Sequence, residues 1–259
     1  MECWQGSESG RVSKRTQWKT AKSPKACLAL LVCLFFINPA LAESWTHGGA
    51  SGKAMVCKPD TAPPYPAVVY NHGHLIDSAG LEGAARKGYD LRELCDAFAQ
   101  EGYLAFILLR QHGDGKGKKY IRKIIPEARH GLAAAKARPD VDPERVALGG
   151  FSRGGFLTLT TATQGVDVAA AFMLAPGMTK PFHKALSRIG GIKAPMLAMI
   201  AKDDESDFLK NVFSLKSAAN DSGKELKVHY YPSGGHELFY DHTKYWSELM
   251  SFLNLHLDK

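Results

Sequence analysis

The chain has 259 residues, 45% of them hydrophobic and 23% charged, and carries a net charge of +7. These values exclude a fibrous chain, a disordered one and a polytopic membrane protein, and the length suits one good-sized domain. Much of the positive charge sits before Ala42, so the remainder is too weakly basic to argue for nucleic acid.

The first element is not structural. Arg11, Lys14, Arg15, Lys19, Lys22 and Lys25 precede an uncharged run, Cys27 to Ile37, which Asn38-Pro39 and Ala40-Leu41-Ala42 follow. Basic, apolar and small-x-small in that order is the pattern of a secretory signal peptide, with cleavage after Ala42. The apolar run is about half of the roughly 20 residues a membrane span needs. The expectation is a leader over 1–42 and a single catalytic domain over 43–259, periplasmic or secreted, with no stable membrane anchor after cleavage. Of five cysteines, Cys57 and Cys95 then remain. In an oxidising compartment they suit one disulfide; two buried thiols fit equally well.

From Gly52 onward, strand and helix signals alternate. Lys53 to Pro59 is a short strand candidate and Asp60 to Pro66 a Pro-rich turn. Ala67 to Tyr70 is an apolar run of the kind a strand buried on both faces shows. Leu91 to Gln100 has helical spacing and stops at Gly102. Tyr103 to Leu109 is another buried strand. A Gly- and Lys-rich loop, Arg110 to Lys119, leads to a helix over Tyr120 to Ala137. Arg145 to Gly150 reads as strand and Arg153 to Ala162 as helix. Strands follow at Val168 to Leu174, Met196 to Ala201 and Leu226 to Tyr231, with a helix near Phe208 to Asn220 before the last. Tyr240 to Leu257 closes the chain as a helix with an apolar stripe. Strands separated by helices predict a mostly parallel sheet covered on both faces. The 20 or so residues between Leu174 and Met196 have room for a small flap and not for a large lid domain.

Gly150-Phe151-Ser152-Arg153-Gly154 fits G-x-S-x-G. A serine hydroxyl in that motif becomes a nucleophile when a strand precedes it and a helix follows, because the sharp turn lifts the hydroxyl clear of the sheet. VALGGF before it and FLTLTT after it supply that setting. The serine needs a histidine base, and the base needs an orienting carboxylate. Both are expected later in the chain, after successive strands. Asp203-Asp204 follows one strand, and Gly234-Gly235-His236 follows the next. Asp204 is the expected orienting acid, with Asp203 its rival and Asp207 a third choice; His236 is the expected base, and His242 the nearest rival. The oxyanion is expected to meet two backbone N–H groups, those of Arg153 and of His74 in Asn71-His72-Gly73-His74. Arg110 and His112, after a central strand, are candidate substrate contacts. The basic run Lys116 to Lys123 reads as a solvated helix start. No residue spacing calls for a metal or an organic cofactor.

The ordered set His72-Gly73, Gly150 to Gly154, Asp203-Asp204 and Gly234 to His236 resembles the α/β-hydrolase family. The run VDPERVALGGFSRGG is similar to its dienelactone-hydrolase-like and prolyl-oligopeptidase-like branches in particular. The resemblance implies an α/β-hydrolase fold and a serine hydrolase acting through an acyl-enzyme on a carboxylic ester of small or short-acyl type, without nucleic acid as a partner. Acyl transfer, amide or peptide cleavage and thioester cleavage use the same constellation and remain open, and a non-catalytic binding protein would need a broken slot. Two departures are visible. Dienelactone hydrolases proper use a cysteine where Ser152 stands, and the residues after Ala42 leave no room for the propeller of a prolyl oligopeptidase.

Overall fold

The computed structural model describes residues 41–110, 115, 117–177 and 179–258. Residues 1–40 of the expected leader over 1–42, His112 and Lys116 lie outside the described residues.

Eight strands form one sheet in the order β1-β2-β4-β3-β5-β6-β7-β8. They are β1 Leu41–His47, β2 Ala50–Cys57, β3 Tyr65–Asn71, β4 Leu104–Leu109, β5 Val141–Phe151, β6 Ala170–Leu174, β7 Met196–Ala201 and β8 Leu226–Tyr231. The strands from β4 to β8 run parallel, and β1 and β2 add an antiparallel edge. The central parallel strands β4, β6 and β7, and the second half of β5, are apolar runs without alternation, as strands covered by helices on both faces are; the edge strand β8 is only partly buried. All six residues of β7 and all five of β6 are buried.

Seven helices are described: α1 His74–Ala85, α2 Leu91–Gln100, α3 Gly117–Lys136, α4 Arg153–Ala162, α5 Thr179–Leu186, α6 Ser206–Asp221 and α7 Trp246–Leu257. In α2, Leu91, Leu94, Cys95 and Phe98 face the core, and the Asp90 carboxylate caps the helix by accepting from the Arg92 N–H at 2.8 Å. Cys57 at the end of β2 and Cys95 of α2 form a disulfide.

Three elements were not expected. β1 lies where the leader pattern ends, and it pairs with β2 from Leu41↔Val56 to His47↔Ala50. α1 is broken by Gly80, whose φ of 71° departs from the helix, and its sequence HLIDSAGLEGAA has little amphipathic signal. α5 and a short 3₁₀ turn at Ile189–Gly191 fill the expected flap. The closing helix starts later than the expected Tyr240 and spans its apolar stripe. Residues His236–Tyr240 and His242–Lys244 are 3₁₀ turns, and the α-helix begins at Trp246.

The chain reverses its direction of travel across the sheet at β3. From β3 it passes to β4 on one side, then returns to β5 on the other. A crevice opens at the carboxyl ends of strands at such a switch point, and ligands bind there. β3 ends at Asn71, opposite Gly150 of β5. The Asn71–His74 loop and the Ser152 turn therefore leave neighbouring strands at the same edge.

Candidate active site

Ser152 has φ 54° and ψ −115°, a left-handed conformation that few non-glycine residues adopt. Three backbone hydrogen bonds hold it there. Its N–H donates to the Leu174 carbonyl at 2.8 Å, and its own carbonyl accepts from Phe156 at 3.2 Å and Gly177 at 2.9 Å. The glycines around it answer a steric demand. A Cβ on Gly154 would lie 1.7 Å from the Asn71 carbonyl oxygen, and one on Gly150 would lie 2.6 Å from the same atom. Strand β3 and helix α4 approach too closely for any side chain at either position. Ser152 itself is nearly buried, with 8% of its surface exposed.

β7 and β8 are paired to their carboxyl ends, Ala201 opposite Tyr231, so the loops after them are neighbours. This brings together residues 32 apart in sequence. His236 Nδ1 lies 3.1 Å from Asp204 Oδ2, and the other Asp204 oxygen accepts from the Glu205 N–H at 2.7 Å. The Asp204 side chain is fully buried. Asp203 turns the other way, accepting from the N–H groups of Gly235 at 2.8 Å and Gly234 at 3.1 Å. Those two bonds hold its carboxyl below the usual carboxylate range although it is exposed. Gly234 and Gly235 have φ of 123° and 56°, so the loop needs them to place its N–H groups on Asp203.

Two rings fix the His236 imidazole. Phe208 of α6 stacks on it with centroids 4.0 Å apart, and Phe151, the residue before Ser152, lies 4.7 Å from it. A Cβ on Gly177 would touch both the Phe208 ring at 3.0 Å and the Ser152 backbone at 3.4 Å. The histidine and the serine turn thus share a wall of Phe151, Gly177 and Phe208. His242 is elsewhere, with its ring 5.2 Å from Trp246.

Arg153 is the first residue of α4 and His74 the first of α1, which puts both backbone N–H groups at the positive ends of helix dipoles. Gly73, just before His74, packs on Phe151: a Cβ there would meet that ring at 2.8 Å.

Arg110 does not face the opening as a substrate contact would. Its side chain is 2% exposed, because Asp77 of α1 waits for it inside the protein. Nε donates to both Asp77 oxygens at 3.0 and 3.3 Å, and Nη2 donates to Oδ2 at 2.8 Å. Nη2 also donates to the carbonyls of His72 at 2.8 Å and Gly73 at 3.1 Å. Arg153 reaches the same carboxylate, with Nη1 2.8 Å from Asp77 Oδ2. That guanidinium lies over the Tyr120 ring, 5.0 Å from its centroid, and donates to its hydroxyl at 3.2 Å. Burial pushes the Asp77 carboxyl up, but the bonds and charge of Arg110 outweigh it and hold the group below its ordinary range. Burial first, and the Arg110 charge second, push His72 down to about 3, so its imidazole is neutral. Among the described residues, one carboxylate therefore faces two guanidiniums.

Sequence reading missed Asp77, Tyr120, Phe151 and Phe208. Phe151 had a signal, as the residue before the serine in G-x-S-x-G. Asp77 had none, because α1 itself was unread. Among the described residues no three His, Cys, Asp or Glu side chains gather into a metal-binding group, and no helix is long and apolar enough to cross a membrane.

The sequence model of the dienelactone hydrolase family matches residues 53–250. No curated protein sequence matches the chain. Among solved structures, a protein from Klebsiella pneumoniae assigned as a dienelactone hydrolase superposes with a TM-score of 0.65 at 20% identity, over 83% of this chain and 99% of that one. A thermophilic esterase from the planctomycete Thermogutta terrifontis gives 0.62 at 16% identity, over 85% and 93%. An acylaminoacyl peptidase from Pyrococcus horikoshii gives 0.68 at 17% identity, over 85% of this chain and 42% of that one. At these identities the structural likeness speaks to the fold.

Proposed function

The chain belongs to the dienelactone hydrolase family, within the α/β hydrolases, and on that premise we propose that it is a serine hydrolase of carboxylic esters. The observation that carries this reading is the His236–Asp204 contact of 3.1 Å, walled to the strained Ser152 turn by Phe151 and Phe208. Ser152 Oγ attacks the ester carbonyl carbon and gives its proton to His236 Nε2, the nitrogen turned away from Asp204. Asp204 fixes the tautomer and steadies the imidazolium as it forms. The tetrahedral oxygen takes its negative charge between the N–H groups of Arg153 and His74. His236 returns the proton to the departing alkoxide as the carbon–oxygen bond breaks, leaving an acyl-serine. Water then attacks the acyl carbon, again losing a proton to His236, and the acid is released with Ser152 restored.

The leader pattern before Ala42 supports export to the periplasm or beyond. Hydrolysis of short nitrophenyl esters tests the reading. Wild type is expected to release nitrophenol in a burst followed by steady turnover. Ser152→Ala is expected to lose on the order of 10⁶-fold in kcat and to show no burst. Unchanged turnover in Ser152→Ala would remove the serine from the mechanism.

A further inference from the structure

We infer that Asp77 is a positioning residue that joins the two backbone donors of the oxyanion hole into one rigid unit. The inference rests on the serine-hydrolase reading above. The two donors come from separate elements: His74 opens α1 after β3, and Arg153 opens α4 after β5. Strand pairing and the close approach of Gly154 to Asn71 bring the two helix N-termini together, and a side-chain link across them would hold their spacing. Asp77 makes that connection with one carboxylate. Through Arg153 Nη1 it holds the first residue of α4. Through Arg110 it holds the other donor loop, because Arg110 Nη2 bonds Asp77 and the carbonyls of His72 and Gly73 together. The Tyr89 hydroxyl accepts from the Gly73 N–H at 3.2 Å and closes the loop from its other side. Asp77, Arg110 and His72 side chains are 1–2% exposed and Arg153 8%, so water does not loosen the linkage.

The arrangement also explains why arginine stands inside G-F-S-R-G. Its backbone N–H is the donor, and its planar side chain spans from Tyr120 to Asp77 in a way a lysine cannot reproduce.

A structural anchor lowers stability when removed; a positioning residue lowers kcat selectively. Asp77→Asn and Arg153→Lys would be assayed on nitrophenyl acetate beside wild type. The readouts are kcat, KM, inhibition by phenylboronic acid, which forms a tetrahedral serine adduct, and thermal melting. A donor misplaced by about 1 Å costs about 100-fold. Asp77→Asn is expected to lose about that in kcat with KM within about twofold, and to lose boronate affinity in parallel. Arg153→Lys is expected to fall between the two, and it decides the matter if Asp77→Asn does not fold. Folded variants with wild-type kcat and boronate affinity, whatever their melting temperature, would overturn the inference. A folded wild type that ignores phenylboronic acid and turns over as fast as Ser152→Ala would overturn the underlying hydrolase reading instead.

Discussion

Two neighbouring aspartates follow β7, and their surroundings divide the work between them. Asp204 is buried with one oxygen on His236 and the other on a backbone N–H; Asp203 is exposed and braces the glycines that carry His236. Asp204→Asn is expected to cut kcat by about 10⁴-fold, because an amide fixes the wrong tautomer of the base. Asp203→Asn keeps one acceptor oxygen for the glycine N–H groups and is expected to lose far less. Steady-state kinetics of the two variants test this, and a larger loss at Asp203 would reverse the assignment. At this scale, the pairing of Asp204 with His236 and the strand-to-helix turn at Ser152 were legible because each residue occupies a slot defined by order along the chain. Which aspartate turns inward was a matter of weighing, since adjacent residues on a loop have no periodicity to separate them. Arg110 was misread as a candidate substrate contact for a different reason. The fate of a guanidinium depends on where its carboxylate lies, and Asp77 belongs to a helix that left no pattern.

Elements rather than residues account for the other differences. β3, β4, β6 and β7 were readable because strands buried on both faces are apolar runs with no alternative use. β1 was hidden, as its first residues fall in a small-x-small pattern that signals cleavage. α1 was hidden by Gly80 and Gly83, which interrupt its helical spacing. The apolar stripe from Trp246 to Leu257 matches its helix, while the expected start at Tyr240 took in the 3₁₀ turn at His242–Lys244, which has no pattern of its own. The disulfide was undecided from sequence because separation in the chain says nothing of distance in space. It ties β2 to α2 across a sequence separation of 38 residues, which in the chain-entropy account is worth about 4 kcal/mol. Cys57 pairs with Ala105 near the amino end of β4, at the opposite edge of the sheet from Ser152. Replacing both cysteines by alanine is therefore expected to lower the denaturant midpoint while leaving kcat near wild type at temperatures where the protein stays folded. Equal midpoints for the two forms would show that the bond contributes nothing.

Over the whole molecule, one topological fact organises the site. The sheet order places the loops after β3, β5, β7 and β8 along one edge, with the Ala175–Gly177 loop after β6 packed against the Ser152 backbone. A strand-and-helix reading predicts that edge, because parallel strands all end on the same side. It does not predict the aromatic wall around His236 or the carboxylate shared by Arg110 and Arg153, which depend on contacts between distant segments. The central claim is that this edge turns Ser152 into a nucleophile. Mass spectrometry after treatment with a fluorophosphonate tests it most directly. The account predicts a single adduct on Ser152 of folded wild type, with none in Ser152→Ala or after unfolding. A folded wild type that stays unmodified, or an adduct carried on another residue, would contradict it.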